Sequence, residues 1–296
     1  MTESTLLSVI VCTRNRVGEL ANCLPLLAGQ AAKFTDVEVV VVDNGSTDGT
    51  RAFVEKASAE PGSPVRYAYE PEAGLCRARN RGRAAARGRV IAYVDDDIIV
   101  APDWIARIRE HFSEGRSDIL AGRVRAEPEG ELPEWLPGDL MWVLGESRLG
   151  DEPRALHFPQ HPQGGNFAVR VEVFDAAGGF NPLITLYGDE TDFFRRVSAG
   201  GFKTFYDPEV VVTQRVPVGR LTQKELGTKA YKWGQGAAMV YLLSSPGAGR
   251  RWMKAAEYVL RAAYVGGRWC VGPRFGRYFT FWHNCGYVRQ LVHGNS

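Results

Sequence analysis

Three consecutive aspartates, Asp95, Asp96 and Asp97, end the apolar segment VIAYVDDD. Adjacent carboxylates repel one another and are costly to take out of water, so a positive partner must lie nearby. A divalent cation is one such partner, because carboxylate oxygens suit Mg²⁺ or Mn²⁺. On a continuous strand, alternation would direct Asp95 and Asp97 to one side and Asp96 to the other. Since Mg²⁺ completes its shell with water and phosphate oxygens, the pattern predicts a metal-diphosphate ligand; the alternative is a strand end with solvated acids.

A second acidic motif, GDETDFFRR, begins a predicted helix over 189–199. Asp189 and Asp192 stand three residues apart at the helix start, where carboxylates cap backbone N–H groups and favour the helix dipole. That structural role is sufficient for both aspartates. It leaves Glu190 without an assigned role.

The elements that would position these acids alternate between short β-branched runs and segments of helical spacing. Apolar runs of this length are typical of buried parallel strands. Alternation of this kind predicts an α/β, doubly wound sheet. The predicted strands are 7–12, 37–42, 65–69, 90–94, 166–171 and 204–212, and the predicted helices are 19–31, 48–59, 75–87 and 189–199.

Polar clusters follow three of the predicted strands: TRNR at 13–16, DNGS at 43–46, and the three aspartates. Sheets of this class bind ligands at the carboxyl ends of their strands, so we expect the three clusters to meet in one crevice. DNGS also has the composition of a turn with a helix N-cap. The arginines of the predicted helix 75–87 also fit a solvated face; they are Arg77, Arg79, Arg81 and Arg83.

Six segments of the chain, in order and spacing, resemble family-2 glycosyltransferases. These enzymes have the GT-A fold, in which a mixed sheet binds a nucleotide-diphosphate sugar and the sugar is moved to an acceptor. The resemblance covers about residues 6–214, and the segments are SVIVCTRNR, VVVVDNGSTDGT, PEAGLCRARNRG, VIAYVDDD, GGNFAV and GDETDFFRR.

The resemblance implies roles for individual residues. Asp43 would hold the nucleobase in a pocket lined by Thr13 and Arg14. Asp95 would contact the ribose or its surroundings, and Asp97 would bind the metal. The donor-binding set implied in this way is Thr13, Arg14, Asp43, Arg79, Asp95, Asp96, Asp97 and Asn166, with Mg²⁺ or Mn²⁺ held by Asp97 and Asp95.

The resemblance also implies an inverting transfer with a carboxylate as general base. The family's usual order at this motif is Glu-Asp, with the second acid as the base, whereas this sequence has Asp189-Glu190. Glu190 therefore takes the base position with a longer side chain, and Asp189 is the rival. Many relatives carry a His after the last strand, where this chain offers Gln214.

Two segments have no clear periodicity or fall outside the resemblance. Loop 127–165 contains Trp135 and Trp142, which could cover an acceptor or anchor the loop in a core.

We predict a catalytic domain over 1–214, with a nucleotide-sugar half over 1–100 and an acceptor half over 101–214. A basic, aromatic helical extension would follow over 215–296.

The extension is strongly basic. It has 13 Lys and Arg against 2 Asp and Glu, while residues 1–214 have 23 against 32, so the net charges are +11 and −9. Basic helices rich in Trp and Tyr can lie in a membrane interface, which would suit a lipid-linked acceptor. The alternative is packing on the acidic body, with a stripe formed by Phe275, Tyr278, Trp282, Cys285 and Val288.

The composition excludes several classes of protein. Five cysteines without a C-x-x-C pair favour a reducing cytoplasm, and we see no signal peptide and no stretch long enough to span a membrane. The segment after the first strand lacks the Gly-rich loop of a dehydrogenase or of a nucleotidyltransferase. The missing loop counts against a nucleotidyltransferase, which is kept as an alternative together with a nucleotide-sugar-binding protein without transfer activity. The expected donor is a UDP- or dTDP-sugar, the acceptor a small molecule or a lipid-linked one, and no nucleic-acid partner is expected.

Overall fold

The computed structural model describes residues 5–136, 138–244, 247–271 and 275–293, and for residues 268–271 the backbone alone. The chain forms two compact units. The first comprises Met1–Glu127, Gly145–Pro182 and Phe193–Arg215, and the second comprises Pro128–Leu144, Leu183–Asp192 and Val216–Ser296. This division is not contiguous, unlike the predicted one. Two short segments from within the predicted catalytic domain belong to the second unit, and chain composition carries no signal for such a long-range association.

The first unit is built on a nine-stranded mixed sheet in the order β3-β2-β1-β4-β8-β6-β9-β5, with β7 paired to β9. Strands β1 to β4 pair in parallel, and β8 runs antiparallel to β4. The predicted α/β mixed sheet is therefore confirmed. The strands are β1 (Leu7–Thr13), β2 (Val37–Asp43), β3 (Val65–Tyr69), β4 (Val90–Asp95), β5 (Ile98–Val100), β6 (Ile119–Pro128), β7 (Arg154–Leu156), β8 (Asn166–Arg170) and β9 (Thr204–Val216).

Six helices accompany these strands. Their apolar residues recur at helical spacing, as Leu20, Leu24 and Leu27 do on the first helix, where all three are buried. The β-branched runs supply the other side of the core, since all seven residues of β2 are buried. The helices are α1 (Val17–Ala31), α2 (Thr50–Ser58), α3 (Leu75–Ala85), α4 (Trp104–Ser113), α5 (Val171–Ala177) and α6 (Asp189–Ala199).

The register of the parallel strands brings their polar ends together. Thr13 at the end of β1 pairs with Asp43 at the end of β2. On the other side of β1, Cys12 pairs with Asp95 at the end of β4. The pairing of β1 with β2 and β4 therefore places the three polar clusters at one edge of the sheet, as expected.

The second unit contains three long helices, α7 (Gln223–Leu243), α8 (Ala248–Val271) and α9 (Phe275–His293), and α9 packs against both α7 and α8. Glycine allows α7 and α9 to approach closely. A Cβ at Gly234 of α7 would collide with the backbone oxygen of His283, and a Cβ at Gly286 of α9 would collide with that of Tyr231.

This close approach sets which side of α9 is buried, and it corrects the predicted stripe. The buried residues of α9 are Phe275, Phe279, Asn284, Gly286, Tyr287, Gln290 and Leu291. Of the predicted stripe only Phe275 is buried, and Trp282 is 37% exposed. The reason is that the prediction followed the helical spacing of large side chains, whereas the contact with α7 is made at Gly286. None of the helices within the described residues is both long and apolar enough to cross a membrane.

Candidate active site

The three aspartates do not lie on one continuous strand. Strand β4 ends at Asp95, and Asp96 and Asp97 form a turn before β5. The side-chain alternation predicted for the triplet therefore stops at Asp95. Asp96 and Asp97 instead bind the same guanidinium: Arg16 Nη1 lies 2.7 Å from Asp96 Oδ1, and Arg16 Nη2 lies 2.8 Å from Asp97 Oδ2.

Arg16 is thus a positive partner of the triplet that sequence reasoning did not identify, although it lies in the quoted motif SVIVCTRNR. The Asp96 side chain is only 4% exposed and that of Asp97 12%. Burial raises the pKa of Asp96 to about 6, and the charge of Arg16 opposes that rise. The arginine therefore keeps two closely spaced carboxylates compatible with a largely buried position.

Asp95 and Arg79 meet the loop that precedes β8. A Cβ at Gly165 would lie 2.7 Å from Asp95 Oδ2, so this glycine lets the backbone pass beside the carboxylate. Arg79 of α3 is 2% exposed, and its Nη2 donates to the Gly164 oxygen at 3.1 Å. The structure therefore brings Asp95, Arg79 and the glycines of GGNFAV to one place. The neighbouring Arg77 and Arg81 are exposed.

Asp43 is buried and is oriented by two donors. Its Oδ1 accepts from the Ser46 backbone N–H at 2.8 Å, and its Oδ2 accepts from the Tyr67 hydroxyl at 2.9 Å. Burial together with Asp43 raises the pKa of Tyr67 to about 12, so the phenol keeps its proton and remains a donor. A carboxylate has about four acceptor positions, which leaves capacity for a ligand.

The loops after β1 and β2 are joined by hydrogen bonds. Asn15 Oδ1 accepts from the Thr47 N–H at 2.7 Å, and the Asn15 N–H donates to Ser46 Oγ at 2.9 Å. Asp48 Oδ2 accepts from the Val17 N–H at 3.1 Å. The two loops therefore form one wall beside Asp43. Thr13 is buried at the base of that wall and Arg14 is exposed on it.

Asn166 has a different environment from the one expected. Its side chain is fully buried, and Nδ2 donates to the backbone oxygens of Arg123 and Val210, both at 2.8 Å. Its Oδ1 accepts from Trp104 Nε1 at 2.9 Å. The side-chain amide makes its hydrogen bonds within the protein. These bonds do not support the expected contact with a nucleotide-sugar donor.

The two candidate bases, Asp189 and Glu190, begin α6, and its first turn belongs to the second unit. Asp189 is 3% exposed, and Asp192 is 2% exposed. Glu190 is half-buried. Burial raises the pKa of Tyr187, the charge of Arg220 opposes that rise, and the charge of Glu190 adds to it.

Trp135 and Trp142 also belong to the second unit, where each packs on aromatic rings. The ring centroid of Trp135 lies 4.7 Å from that of Phe275, and that of Trp142 lies 5.3 Å from that of Phe279. In this arrangement both rings anchor the segment 128–144 on α9. Whether the segment also covers an acceptor stays a prediction.

The carboxylates of Asp95 and Asp97 are suited to a cation that is also bound by phosphate oxygens of a ligand. Among the residues that the structure describes, no three His, Cys, Asp or Glu side chains are grouped to hold a metal by themselves. Asp95 and Asp97 would supply two carboxylates, and Mg²⁺ takes one or two from a protein when phosphates complete its shell. Gln214 pairs with Ile98, directly after the turn, and its Oε1 would lie 2.7 Å from a Cβ at Gly145.

Comparison with known proteins identifies the family of the chain. The model of glycosyl transferase family 2 matches residues 8–178. The chain belongs to this family. The matched range holds the three polar strand ends and the glycines before β8, and the chain is accordingly a glycosyltransferase.

Relatives and solved structures extend the similarity. The succinoglycan biosynthesis protein ExoM of Rhizobium meliloti is 28% identical over 240 residues, covering 79% of this chain and 74% of that protein. Mannosyltransferase PcManGT from Pyrobaculum calidifontis, solved with GDP-Man and Mn²⁺, has a TM-score of 0.69 at 18% identity, covering 100% of this chain and 89% of that one. S. aureus TarS 1–349 in complex with UDP-GlcNAc has a TM-score of 0.57 at 16% identity, covering 98% and 92%. These two structures share the GT-A fold of this chain.

Proposed function

We propose that this glycosyltransferase takes its sugar from a nucleotide diphosphate, uses Mg²⁺ or Mn²⁺, and inverts the anomeric configuration. The observation that carries the proposal is the meeting of Asp43, Asp95, Asp97 and Arg79 at the carboxyl edge of one sheet. The solved relatives with GDP-Man and Mn²⁺ and with UDP-GlcNAc support the donor class. We expect a UDP- or dTDP-sugar.

Each part of the crevice has a separate task in this proposal. Asp43, fixed by Ser46 and Tyr67, accepts from an N–H of the nucleobase, and the loop wall carrying Thr13 and Arg14 borders the base. Asp97 and Asp95 would hold the cation. Arg16 orients Asp97 by binding its Oδ2 atom. A bound cation neutralises charge that develops on a leaving diphosphate.

We assign the general base to Glu190. It would take the proton of the acceptor hydroxyl or amine as the new bond to the anomeric carbon forms on the face opposite the leaving diphosphate. The difference in burial supports this choice, because Asp189 is almost fully buried whereas Glu190 is half-exposed and closer to solvent. A small-molecule or lipid-linked acceptor fits the proposal equally.

Calorimetry tests the donor and the metal. UDP, dTDP and GDP are titrated with and without Mg²⁺ or Mn²⁺, and we expect at least one to bind only with metal. Asp97→Asn should abolish that metal dependence. Asp96→Asn, which changes the neighbouring carboxylate that also binds Arg16, is the matched comparison and should affect metal dependence less. Absence of metal-dependent binding for all three nucleotides would refute the proposal.

Kinetics with the productive donor tests the base. Glu190→Gln should leave nucleotide binding nearly unchanged and lower kcat by roughly 10²–10⁴, the usual contribution of general acid–base catalysis. Asp189→Asn is the matched comparison, and if it alone lowers kcat, Asp189 is the base. NMR of the product reads the anomeric configuration, and retention would exclude an inverting transfer.

A further inference from the structure

Helix α8 uses one side to pack within the second unit. Ala255 is buried in a cluster with Tyr287 and Leu291 of α9. Tyr258 stacks on Tyr287, with ring centroids 3.7 Å apart and planes within 7° of parallel. These contacts define the inner side of α8.

A second side of α8 carries large apolar side chains that are exposed. Trp252, Met253, Ala256, Val259, Leu260, Ala263 and Tyr264 recur at helical spacing and share one face, here named the α8 apolar face. The exposed fractions are 67% for Met253 and 71% for Leu260. Those of Trp252, Val259 and Tyr264 are 56%, 50% and 63%. Neighbouring exposed apolar side chains in this number are typical of an interaction surface.

The strip of α8 beside one edge of the apolar face is charged, with an excess of basic residues. Glu257 lies nearest the apolar face, and Arg250, Lys254 and Arg261 follow it around the helix; this strip is here named the basic border. Glu257 accepts from Lys254 Nζ at 2.9 Å and from Arg261 Nη2 at 2.6 Å, which leaves a net positive charge along the border. Within Ala248–Val271 there are five basic residues and one acidic residue.

We propose that the α8 apolar face rests in the interface of an anionic lipid bilayer. The apolar side chains enter the boundary between headgroups and acyl chains, with Trp252 and Tyr264 at headgroup depth, and the basic border faces the lipid phosphates. The helix lies in the plane of the interface. A second copy of this chain is the less suitable occupant, because facing α8 helices would bring two basic borders together and like charges repel.

Vesicle flotation tests the proposal with the full chain. The protein should float with vesicles of phosphatidylcholine mixed with phosphatidylglycerol at low salt, and much less at about 0.5 M salt, where charges are screened beyond a few ångströms. Pure phosphatidylcholine vesicles should bind it weakly. Met253→Gln with Leu260→Gln should lower the partition coefficient by about tenfold or more, because both apolar side chains then stay out of the interface.

The control places the same changes on exposed apolar positions away from α8. Leu26 on α1 is 41% exposed and Val218 is 57% exposed, so Leu26→Gln with Val218→Gln should leave flotation unchanged. Circular dichroism melting verifies that both double variants are folded. Flotation that survives Met253→Gln with Leu260→Gln would overturn the proposal, and so would equal binding to neutral vesicles.

Lipids with brominated acyl chains give a readout specific to α8. They should quench part of the tryptophan emission of the wild type, and Trp252→Phe should remove that quenched part. Trp282→Phe on α9 is the matched control and should leave the quenching unchanged. No flotation at low salt would overturn the proposal, as would a wild-type dimer in solution that Met253→Gln with Leu260→Gln converts to a monomer, since a second copy then covers the face.

Discussion

Arg16 holds two neighbouring aspartates through its two terminal nitrogens, one for each carboxylate. A guanidinium presents its donors in a fixed fork, and hydrogen bonds between ionised partners are about twice as strong as neutral ones. The Arg16 side chain is 30% exposed, whereas Asp96 is almost inaccessible. Loss of the arginine would therefore leave a carboxylate in place without its neutralising partner.

We expect Arg16→Gln to lower the free energy of unfolding by roughly 2–4 kcal/mol, somewhat less than the about 3–5 kcal/mol typical of removing one partner of a buried ion pair, because Arg16 is partly exposed. Urea denaturation at neutral pH measures the change. Arg14→Gln, two residues earlier and exposed, should stay within about 0.5 kcal/mol of the wild type. Asp96→Asn added to Arg16→Gln should recover part of the loss, and equal losses at positions 14 and 16 would contradict the ion-pair account.

His111 on α4 supplies a pH-dependent contribution to stability. It is buried, and its Nε2 lies 2.8 Å from Ser117 Oγ. Burial, together with the charge of Arg116, lowers its pKa to about 4. The unfolded chain binds a proton near pH 6.5 and the folded chain does not, so stability is complete above pH 6.5 and is lost as the pH falls toward 4.

Unfolding at pH 7.5 and pH 5 tests this contribution. His111 should account for about 2 kcal/mol of the stability lost between the two, since each pH unit between the folded and unfolded pKa values changes the free energy by about 1.4 kcal/mol. His111→Gln keeps a polar side chain at this position without the titration, and its stability should depend less on pH by that amount. Identical pH profiles would show that the pKa of His111 is the same in the folded and the unfolded chain.

At the scale of elements, the loop before β8 can pass close to the Asp95 carboxylate because residue 165 is a glycine. We expect Gly165→Ala to weaken metal-dependent nucleotide binding about tenfold, because the new Cβ would displace the Asp95 carboxylate. Calorimetry measures the change. Gly18→Ala in the first turn of α1, where a Cβ would meet no atom within 4 Å, is the control and should bind as the wild type does. Unchanged binding in Gly165→Ala would remove Asp95 from the donor site.

The sequence predicted those elements whose apolar pattern is strong. The β-branched runs of β1, β2 and β4 and the 65–69 strand were found within one residue of their ends, and parallel pairing then explains why Asp43 and Asp95 meet. Strand β5 has only three residues, and β6 (ILAGRVRAEP) interrupts its apolar alternation with glycine and arginine, so neither was found. The contacts of Arg16 with Asp97 and of Tyr67 with Asp43 join residues far apart in the chain, which local patterns do not encode.

At the scale of the whole molecule, the second unit collects segments that are separate in the chain. Segment 128–144 contributes Trp135 and Trp142, whose rings contact Phe275 and Phe279 of α9. Periodicity predicted helices after residue 215, but it did not predict that two earlier segments belong with them. Residues 1–214 therefore lack the aromatic partners of both tryptophans.

We expect a chain that ends at Arg215 to lose transfer activity and to bind the dye ANS more strongly than the full chain, because α7, α8 and α9 no longer cover these rings. Dye fluorescence and initial rates measure the two effects. A chain that ends at His293 keeps all three helices and should match the full chain. A cooperative thermal transition of unchanged midpoint in the shorter chain would show that residues 1–215 fold independently.

The edges of the nine-stranded sheet are short. The path of strand pairing begins at β3 with five residues and ends at β5 with three. Free backbone N–H and C=O groups at a sheet edge are templates on which further chains can add, and long flat edges are sites of aggregation. Strand β3 also carries Arg66 next to its first residue, bound to Glu38 of β2 at 2.5 Å. The long β-branched runs of β1 and β2 are paired on both sides, so the most amyloid-like sequences in the protein are withheld from intermolecular pairing for as long as the sheet stays folded.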